Sequence, residues 1–135
     1  MKMDIPGVPE DYFTEIETGA GDKAYKANRE RIRALVAIRN MKTQEVLSSG
    51  GNIHQASLDL NDQFDEFLSP LPVMAQAAIC GIYAEELSAS AAEMMDKTHR
   101  INAEIIESEE RNSLMGQVIG VIVIIVIAVV VISTF

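Results

Sequence analysis

The chain has 135 residues, 48% of them hydrophobic, and a net charge of −9 at pH 7, a length that suits one domain. No ionisable side chain follows Arg111, so an acidic part, residues 1–111, precedes a charge-free tail. This division is not that of an ordinary soluble globule. A net-negative protein lacks the many cationic contacts to phosphate that nonspecific nucleic-acid binding needs, so no nucleic acid is expected as a partner.

Residues 1–22 are predicted to form an acidic N-terminal arm with a local charge of −5. Prolines and glycines interrupt regular structure, although one helical turn can follow Pro9. Tyr12, Phe13 and Ile16 are its main apolar cluster. Two alternatives stay open, since these side chains either dock on the rest of the protein or belong to a disordered arm.

A first helix is predicted over about residues 22–47, capped by Asp22 and ended by the Ser-Ser-Gly-Gly run that starts at Ser48. Its buried stripe is interrupted by Arg39. The local charge over residues 23–42 is +6, in contrast to the acidic chain as a whole. The predicted basic face consists of Lys23, Lys26, Arg29, Arg31, Arg33, Arg39 and Lys42.

The basic face needs a counter-charge, and three sources are compatible with the sequence. Anionic lipid headgroups are one, because each basic residue near a membrane surface contributes about 1 kcal/mol of attraction. A phosphate-rich partner is another. The third is acid of the same chain or of a second subunit, and residues 43–96 supply nine acidic side chains and no Lys or Arg. The last source is favoured.

A second helix is predicted over residues 52–68, where Ile53, Ala56, Leu60, Phe64 and Phe67 recur at helical spacing. The Ser-Pro-Leu-Pro run that follows ends this helix, because proline lacks a backbone donor and disfavours helix in the preceding residue. The first two helices therefore form a helical hairpin.

A long third helix is predicted over residues 73–112. Alternating steps of four and three residues from Val73 meet mostly apolar positions, which is typical of a heptad-like seam. Cys80 lies on this seam and is predicted to be a buried, inert thiol. The predicted oligomerisation residues of the helix are Ala77, Cys80, Ala84, Leu87, Ala91, Met94, Ile101 and Ile105.

Residues 113–135 are predicted to be a transmembrane tail anchor. The 22 residues from Leu114 to the end carry no charge and would span roughly 33 Å as a helix, enough for the hydrocarbon core of a bilayer. Basic residues precede the span, which predicts a cytoplasmic N-terminus. Gly116 and Gly120 form a GxxxG pair, so they join the predicted oligomerisation residues.

No catalytic, cofactor-binding or metal-binding residues are predicted. His54 and His99 lie far apart in the sequence, and neither has a cysteine near it, so a zinc site lacks ligands. Neighbouring acidic residues, such as Glu85 and Glu86, point about 100° apart on a helix and do not converge. The sequence predicts neither enzymatic activity nor a cofactor.

Three short motifs lie in the second half of the chain: Ser-Pro-Leu-Pro from Ser69, Ala-Glu-Met-Met-Asp-Lys-Thr-His-Arg from Ala92, and Gly-Gln-Val-Ile-Gly from Gly116. Together, over about residues 69–132, they resemble a family of bacterial predicted membrane proteins of unassigned function. The resemblance implies membrane location and helical architecture but no reaction. Members of that family usually continue into a second membrane span, which this sequence lacks.

The predicted fold is therefore all-α: a helical hairpin, then a long heptad-like helix that runs into a single C-terminal transmembrane helix. The predicted domains are the arm 1–22, a cytoplasmic helical domain 23–112 and the anchor 113–135. The predicted function is a noncatalytic, single-pass, tail-anchored membrane protein that forms homo-oligomers on the lipid bilayer. It would scaffold or recruit an assembly at a bacterial inner membrane or a phage lipid layer. The alternatives are a membrane-active effector of holin or pore type, and a helical filament or fusion protein with apolar tails in a shared core.

Overall fold

The computed structural model of the protein describes residues 2–108, with side chains for residues 2–104. The chain divides into two compact units, Met1–Glu86 and Leu87–Phe135. The elements in chain order are a 3-10 helical turn Pro9–Tyr12, strands β1 (Phe13–Glu17) and β2 (Lys23–Ala27), and helices α1 (Arg29–Ser48), α2 (Ile53–Leu68) and α3 (Val73–Ser108).

Strands β1 and β2 form an antiparallel hairpin in which Glu15 lies opposite Tyr25. The connecting turn contains Gly21, whose φ of +81° lies in the left-handed region that glycine adopts without a steric cost. Lys23 Nζ lies 2.6 Å from Glu15 Oε1. The Phe13 ring packs edge to face against Tyr25, with 5.6 Å between ring centroids. These cross-strand pairs stabilise the hairpin.

The hairpin corrects two predictions: the fold is not all-α, and the first helix does not start at residue 22. The Asp22 carbonyl accepts hydrogen bonds from the backbone N–H and the hydroxyl of Thr18, so Asp22 belongs to the turn and caps no helix. The cap is Asn28, whose Oδ1 accepts from the Arg31 N–H at 3.3 Å. The predicted domain boundary at residue 22 separates the two strands of one hairpin.

Helices α1 and α2 are joined by a short turn around Gly50, whose φ is +73°. The Asn52 side chain caps α2 by accepting from the Gln55 N–H at 3.1 Å. The buried side of α2 includes Leu60, Phe64 and Leu68. This spacing follows from the helical period, and it directs the acidic residues of α2 away from the core.

The core of the first unit draws side chains from its helices and from the 3-10 turn. Phe64 stacks on Tyr83 of α3, with 4.3 Å between ring centroids. Burying one large apolar side chain contributes about 1.5 to 3 kcal/mol, so these residues dominate the stability of the unit. The most completely buried large side chains are Tyr12, Ile32, Leu35, Leu60, Leu68 and Ile79.

The N-terminal segment docks on α2. Met3 is buried, and its backbone N–H donates to Gln63 Oε1 at 2.6 Å. The Tyr12 ring packs edge to face against Phe67, and its hydroxyl donates to the Pro6 carbonyl at 2.8 Å. Burial raises the pKa of Tyr12 above its usual value. Of the two alternatives for the arm, docking on the rest of the protein is the one that the structure shows for Tyr12.

Helix α3 starts directly after Pro72, whose carbonyl accepts from the Gln76 N–H at 3.0 Å. In the first unit its buried residues include Ala75, Ile79 and Tyr83. The helix continues through the second unit to Ser108, with Leu87, Ala91 and Thr98 buried there. Lys97 Nζ lies 2.9 Å from Glu93 Oε1, an exposed pair one turn apart within that unit.

The predictions of a transmembrane helix, of a single-pass tail-anchored protein and of a membrane location are also corrected. Among the described residues no helix combines the length and the apolarity that crossing a bilayer requires. Even α3, the longest, carries acidic and basic side chains through its second half. Residues 113–135, on which the anchor was placed, lie outside the described part of the chain.

Candidate functional site

The first half of α3 exposes a face that carries no charge. Residues 73–84 contain no Asp, Glu, Lys, Arg or His. Val73 and Met74 are 77% and 69% exposed, which is unusual for apolar side chains of this size. The uncharged face of α3, as we call it, consists of the exposed residues Val73, Met74, Ala77, Cys80, Gly81 and Ala84.

Small residues in the middle of the uncharged face leave its helix backbone accessible. A Cβ atom placed on Gly81 would meet nothing within 4 Å. Ala77 and Ala84 lie at helical spacing from Gly81, Cys80 lies at helical spacing from both of them, and all three have short side chains. A second helix can therefore approach this face closely.

The structure places only part of the predicted seam on the uncharged face. Ala77, Cys80 and Ala84 lie there, whereas Leu87 and Ala91 are buried and Met94 is half-buried. Ile101 is exposed but belongs to the second unit. The side chain of Ile105 lies outside the described part of the chain, and so do Gly116 and Gly120 as whole residues.

The predicted seam is out of phase with the buried side of α3 because it starts at Val73, on the exposed side of the helix. The side that faces the core in the first unit starts at Ala75 and continues with Ile79 and Tyr83 at steps of four. Both series are apolar, so periodicity alone could not choose between them. The series that starts at Ala75 has the larger side chains, Ile79 and Tyr83, and their size is the signal in the sequence that this side is buried.

Cys80 is exposed, which corrects the prediction of a buried thiol. Partial burial nevertheless raises the pKa of the Cys80 thiol above its usual value, and the negative charge of Asp65 adds to this effect. A raised pKa lowers the fraction of thiolate, which is the opposite of what a catalytic cysteine requires.

The basic face is not one surface in the structure, because its residues lie on β2 and on different sides of α1. Five of them pair with carboxylates of the same chain: Lys23 with Glu15, Arg29 with Glu85 and Glu86, Arg31 with Asp11, Arg33 with Glu86, and Lys42 with Glu45. Lys26 forms no ion pair within the described residues, and Arg39 is buried. The counter-charge in this chain is therefore largely its own acid.

Glu86 is the centre of the strongest charge group, which we call the Glu86 cluster: Arg29, Arg33, Glu85 and Glu86. Glu86 is 5% exposed and accepts from Arg29 Nη1 and from Arg33 Nε, both at 2.8 Å. Arg29 also donates to Glu85. The Arg33 hydrogen bond, and then that of Arg29, lowers the pKa of Glu86 although burial opposes the shift.

Arg39 lies in the core rather than on a basic surface. It is 4% exposed, and its Nη2 donates to Asn61 Oδ1 at 3.0 Å, while its Nε has no partner within the described residues. Burial raises the pKa of Tyr83 to about 12, against the opposing influence of the Arg39 charge. Arg39, Asn61 and Tyr83 come from α1, α2 and α3, and we call them the Arg39 layer.

Residues 2–104 bring together no group of His, Cys, Asp and Glu that could hold a metal ion. A shallow cavity of about 310 Å³ lies between the N-terminal segment and α2, bordered by Met3, Ile5, Gln63 and Phe67 among others. Its lining also includes Lys2, Asp4 and Glu66, but no Ser, Thr, Cys or His. The uncharged face is thus the surface feature with the clearest functional meaning.

Comparison with protein families, with curated proteins and with solved structures finds no match to this chain. The resemblance of residues 69–132 to a bacterial family therefore stays a prediction. A functional assignment has to come from the physical features of the site itself.

Proposed function

We propose that this protein is a noncatalytic helical protein that self-associates through the uncharged face of α3 and thereby builds or recruits an assembly. The observation that carries the proposal is the exposed side of a twelve-residue helix segment that contains no charged residue. A helix that faces water along its whole exposed side normally carries charged or polar residues there. The missing charges are explained if a second helix covers the face.

Gly81 supports this interpretation independently. A glycine inside a helix costs about 1 kcal/mol relative to alanine, because it loses more backbone freedom on folding. Space around Gly81 is open, so no neighbouring atom among the described residues explains why a side chain is absent at this position. Close approach of another backbone would explain it. The cost is then offset only in the associated state.

A second copy of the same chain is the occupant that fits best. Two copies that each carry a charge of −9 repel one another across most of their surfaces. Contact through a face without charge minimises this repulsion. Such a face can also pair with itself around a two-fold axis, which is the commonest symmetry of homodimers. Cys80 would then lie near the axis, close to its counterpart.

Disulfide crosslinking of the full chain tests the contact, because Cys80 is the single cysteine and is exposed. A disulfide needs the two Cα atoms within about 7 Å, so its formation reports direct contact of the two faces. We expect mild oxidation to give a disulfide-linked dimer. The thiol moved to the exposed end of α1, as Cys80→Ser with Ser48→Cys, should give little dimer under the same conditions.

The variant Gly81→Leu separates this contact from general aggregation. Its side chain fits the open space of a single chain but would hold a second helix away, so we expect at least about tenfold less Cys80 dimer. Ala34→Leu, on an exposed position of α1, is the matched control and should leave the yield unchanged. Absence of a Cys80 dimer in the unmodified chain, or an equal yield in Gly81→Leu, would contradict the proposal. The absence of a Cys80 dimer is also the expected result if residues 109–135, rather than a second copy, cover the face.

A further inference from the structure

The β-hairpin has two strand edges that pair with no other strand in the described residues. At its two ends the Thr18 N–H donates to the Asp22 carbonyl at 2.9 Å, and the Asn28 N–H donates to the Tyr12 carbonyl at 2.7 Å. Hydrogen-bonded pairs alternate with non-bonded pairs along an antiparallel ladder. The residues between these ends follow the same alternation.

The alternation decides which backbone groups face outward. Even-numbered residues of both strands, such as Ile16 and Ala24, direct their N–H and C=O groups to the partner strand. Odd-numbered residues direct theirs away from the hairpin, so Glu15 and Glu17 offer theirs on the β1 edge, and Lys23 and Tyr25 on the β2 edge. Each edge is a template for another strand.

The two edges carry opposite charges of equal size. Strand β1, Phe-Thr-Glu-Ile-Glu, has a charge of −2, and strand β2, Lys-Ala-Tyr-Lys-Ala, has a charge of +2. Glu15 and Lys23 pair within the hairpin, but their side chains stay 42% and 64% exposed, so each can also meet a further charge. Ile16, 44% exposed, adds apolar surface to the acidic edge.

We propose that the β1 edge of one copy docks on the β2 edge of a second copy, so that the hairpins join into a continuous antiparallel sheet. Backbone hydrogen bonds across the junction use the outward groups of the odd-numbered residues, as in strand addition generally. Side chains alternate between the two faces of a sheet, so Glu15 and Glu17 of one copy share a face with Lys23 of the next, whereas Lys26 lies on the other face and adds only its charge to the basic edge. The contact is separate from the uncharged face of α3 and does not depend on it.

Charge excludes the two symmetric ways of joining the edges. Two β1 edges would oppose four carboxylates, and two β2 edges four lysines, and like charges directly across strands are destabilising. Only unlike edges attract. A head-to-tail contact of this kind does not close on itself as a dimer, so it extends into a row of subunits.

Carbodiimide crosslinking of an equal mixture of ¹⁴N- and ¹⁵N-labelled full chain tests this contact, since the reagent joins adjacent carboxylates and lysines directly. The Gly81→Leu background is used, so that failure here is distinct from failure of the α3 contact. Links between Glu15 or Glu17 and Lys23 that combine both isotopes are expected. The Glu15 to Lys23 link within one chain has a single isotope label and serves as an internal standard.

Charge variants sharpen the test. Glu17→Lys reduces the acidic edge to zero net charge and places a lysine on the sheet face that carries Lys23 of the next copy, so we expect about a fivefold or larger loss of mixed-isotope links between Glu15 and Lys23. Glu45→Lys makes the same charge change on α1 and should leave the yield unchanged. Exchanging all four charges, as Glu15→Lys, Glu17→Lys, Lys23→Glu and Lys26→Glu together, keeps one acidic and one basic edge and should keep the mixed links.

Single-isotope links alone, with the hairpin intact by circular dichroism, would overturn the proposal. The same outcome is expected if residues 113–135 cover an edge, because they carry no carboxylate or amine side chain to link. Mixed links between Glu15 and Lys23 that persist unchanged in Glu17→Lys would also overturn it, since the attraction between the edges would then play no part.

Discussion

The Glu86 cluster and the Arg39 layer both involve arginines of α1, yet they are built in opposite ways. In the cluster, two largely exposed guanidinium groups meet one buried carboxylate. In the layer, one buried guanidinium meets a neutral amide, and no carboxylate pairs with it within the described residues. Charge is matched at the margin of the first unit and unmatched in its interior.

The difference shows where a charge stabilises this fold and where it costs stability. At the margin, water reaches Arg29 and Arg33, so their pairing with Glu86 requires little desolvation of the cations. In the interior, Arg39 has lost its water and regained one hydrogen bond through Nη2. A buried charge with incomplete partners is a net cost that the surrounding apolar packing must offset.

The largest effect is expected for Asn61→Ala, which removes the acceptor from the buried guanidinium. Loss of the partner of a buried charge typically costs about 3 kcal/mol, and we expect the free energy of unfolding to fall by that amount. Urea denaturation of the full chain, at fixed protein concentration, measures it. Asn61→Asp keeps an acceptor in place and is the control. A loss below about 1 kcal/mol in Asn61→Ala would mean that water still reaches Arg39.

A smaller effect, of opposite sign, is expected for Arg39→Met. The substitution replaces the unmatched charge by an apolar side chain of similar length, which is often neutral or stabilising by about 1 to 2 kcal/mol. It also removes a cation that lowers the pKa of Tyr83, so that pKa should rise further. Ultraviolet titration of tyrosine, with Tyr83→Phe to assign the signal, measures the second effect. Destabilisation by Arg39→Met would show that the layer supports the fold.

These two groups were unequally visible in the sequence. The interruption of the apolar stripe of α1 by Arg39 was predictable, because position 39 falls on the buried side of a regular helix. The hydrogen bond to Asn61 was not, since it depends on how α1 and α2 pack. The partners of Arg29 and Arg33 were predictable only as acid of the same chain or of a second subunit, and the particular role of Glu86 required the fold.

The hairpin and the phase of α3 were beyond the reach of sequence patterns for two different reasons. Strand β2 is short and rich in lysine and alanine, which favour helices over strands, and only its pairing with β1 decides its structure. In the first half of α3 nearly every residue is apolar or small, so the hydrophobic pattern does not indicate which side of the helix is buried. The stacking of Tyr83 on Phe64 sets which side is buried.

The Glu86 cluster is expected to make the stability of the fold depend on pH in the acidic range. The arginines of the cluster lower the pKa of Glu86 in the folded chain. Their contribution to the free energy of unfolding is therefore fully present above the carboxyl pKa of the unfolded chain. It is lost as the pH falls through the lower, folded value. Urea midpoints measured between neutral and acidic pH should therefore fall less steeply in Glu86→Gln than in the unmodified chain. Equal slopes would show that Glu86 is not the carboxylate responsible.

The smallest effect is expected for Lys42→Ala, which breaks a pair with Glu45 that is exposed on both sides. Lys42 Nζ lies 3.1 Å from Glu45 Oε2, about as close as the arginines lie to Glu86, so distance alone predicts similar contributions. Exposure to solvent makes the contributions different, because an ion pair in water adds less than about 0.5 kcal/mol to the free energy of unfolding. Thermal or urea unfolding of Lys42→Ala should therefore differ little from that of the unmodified chain, and Glu45→Gln should behave alike. A loss as large as that of Asn61→Ala would contradict the ranking of marginal and interior charges, since burial rather than distance is what separates the two groups.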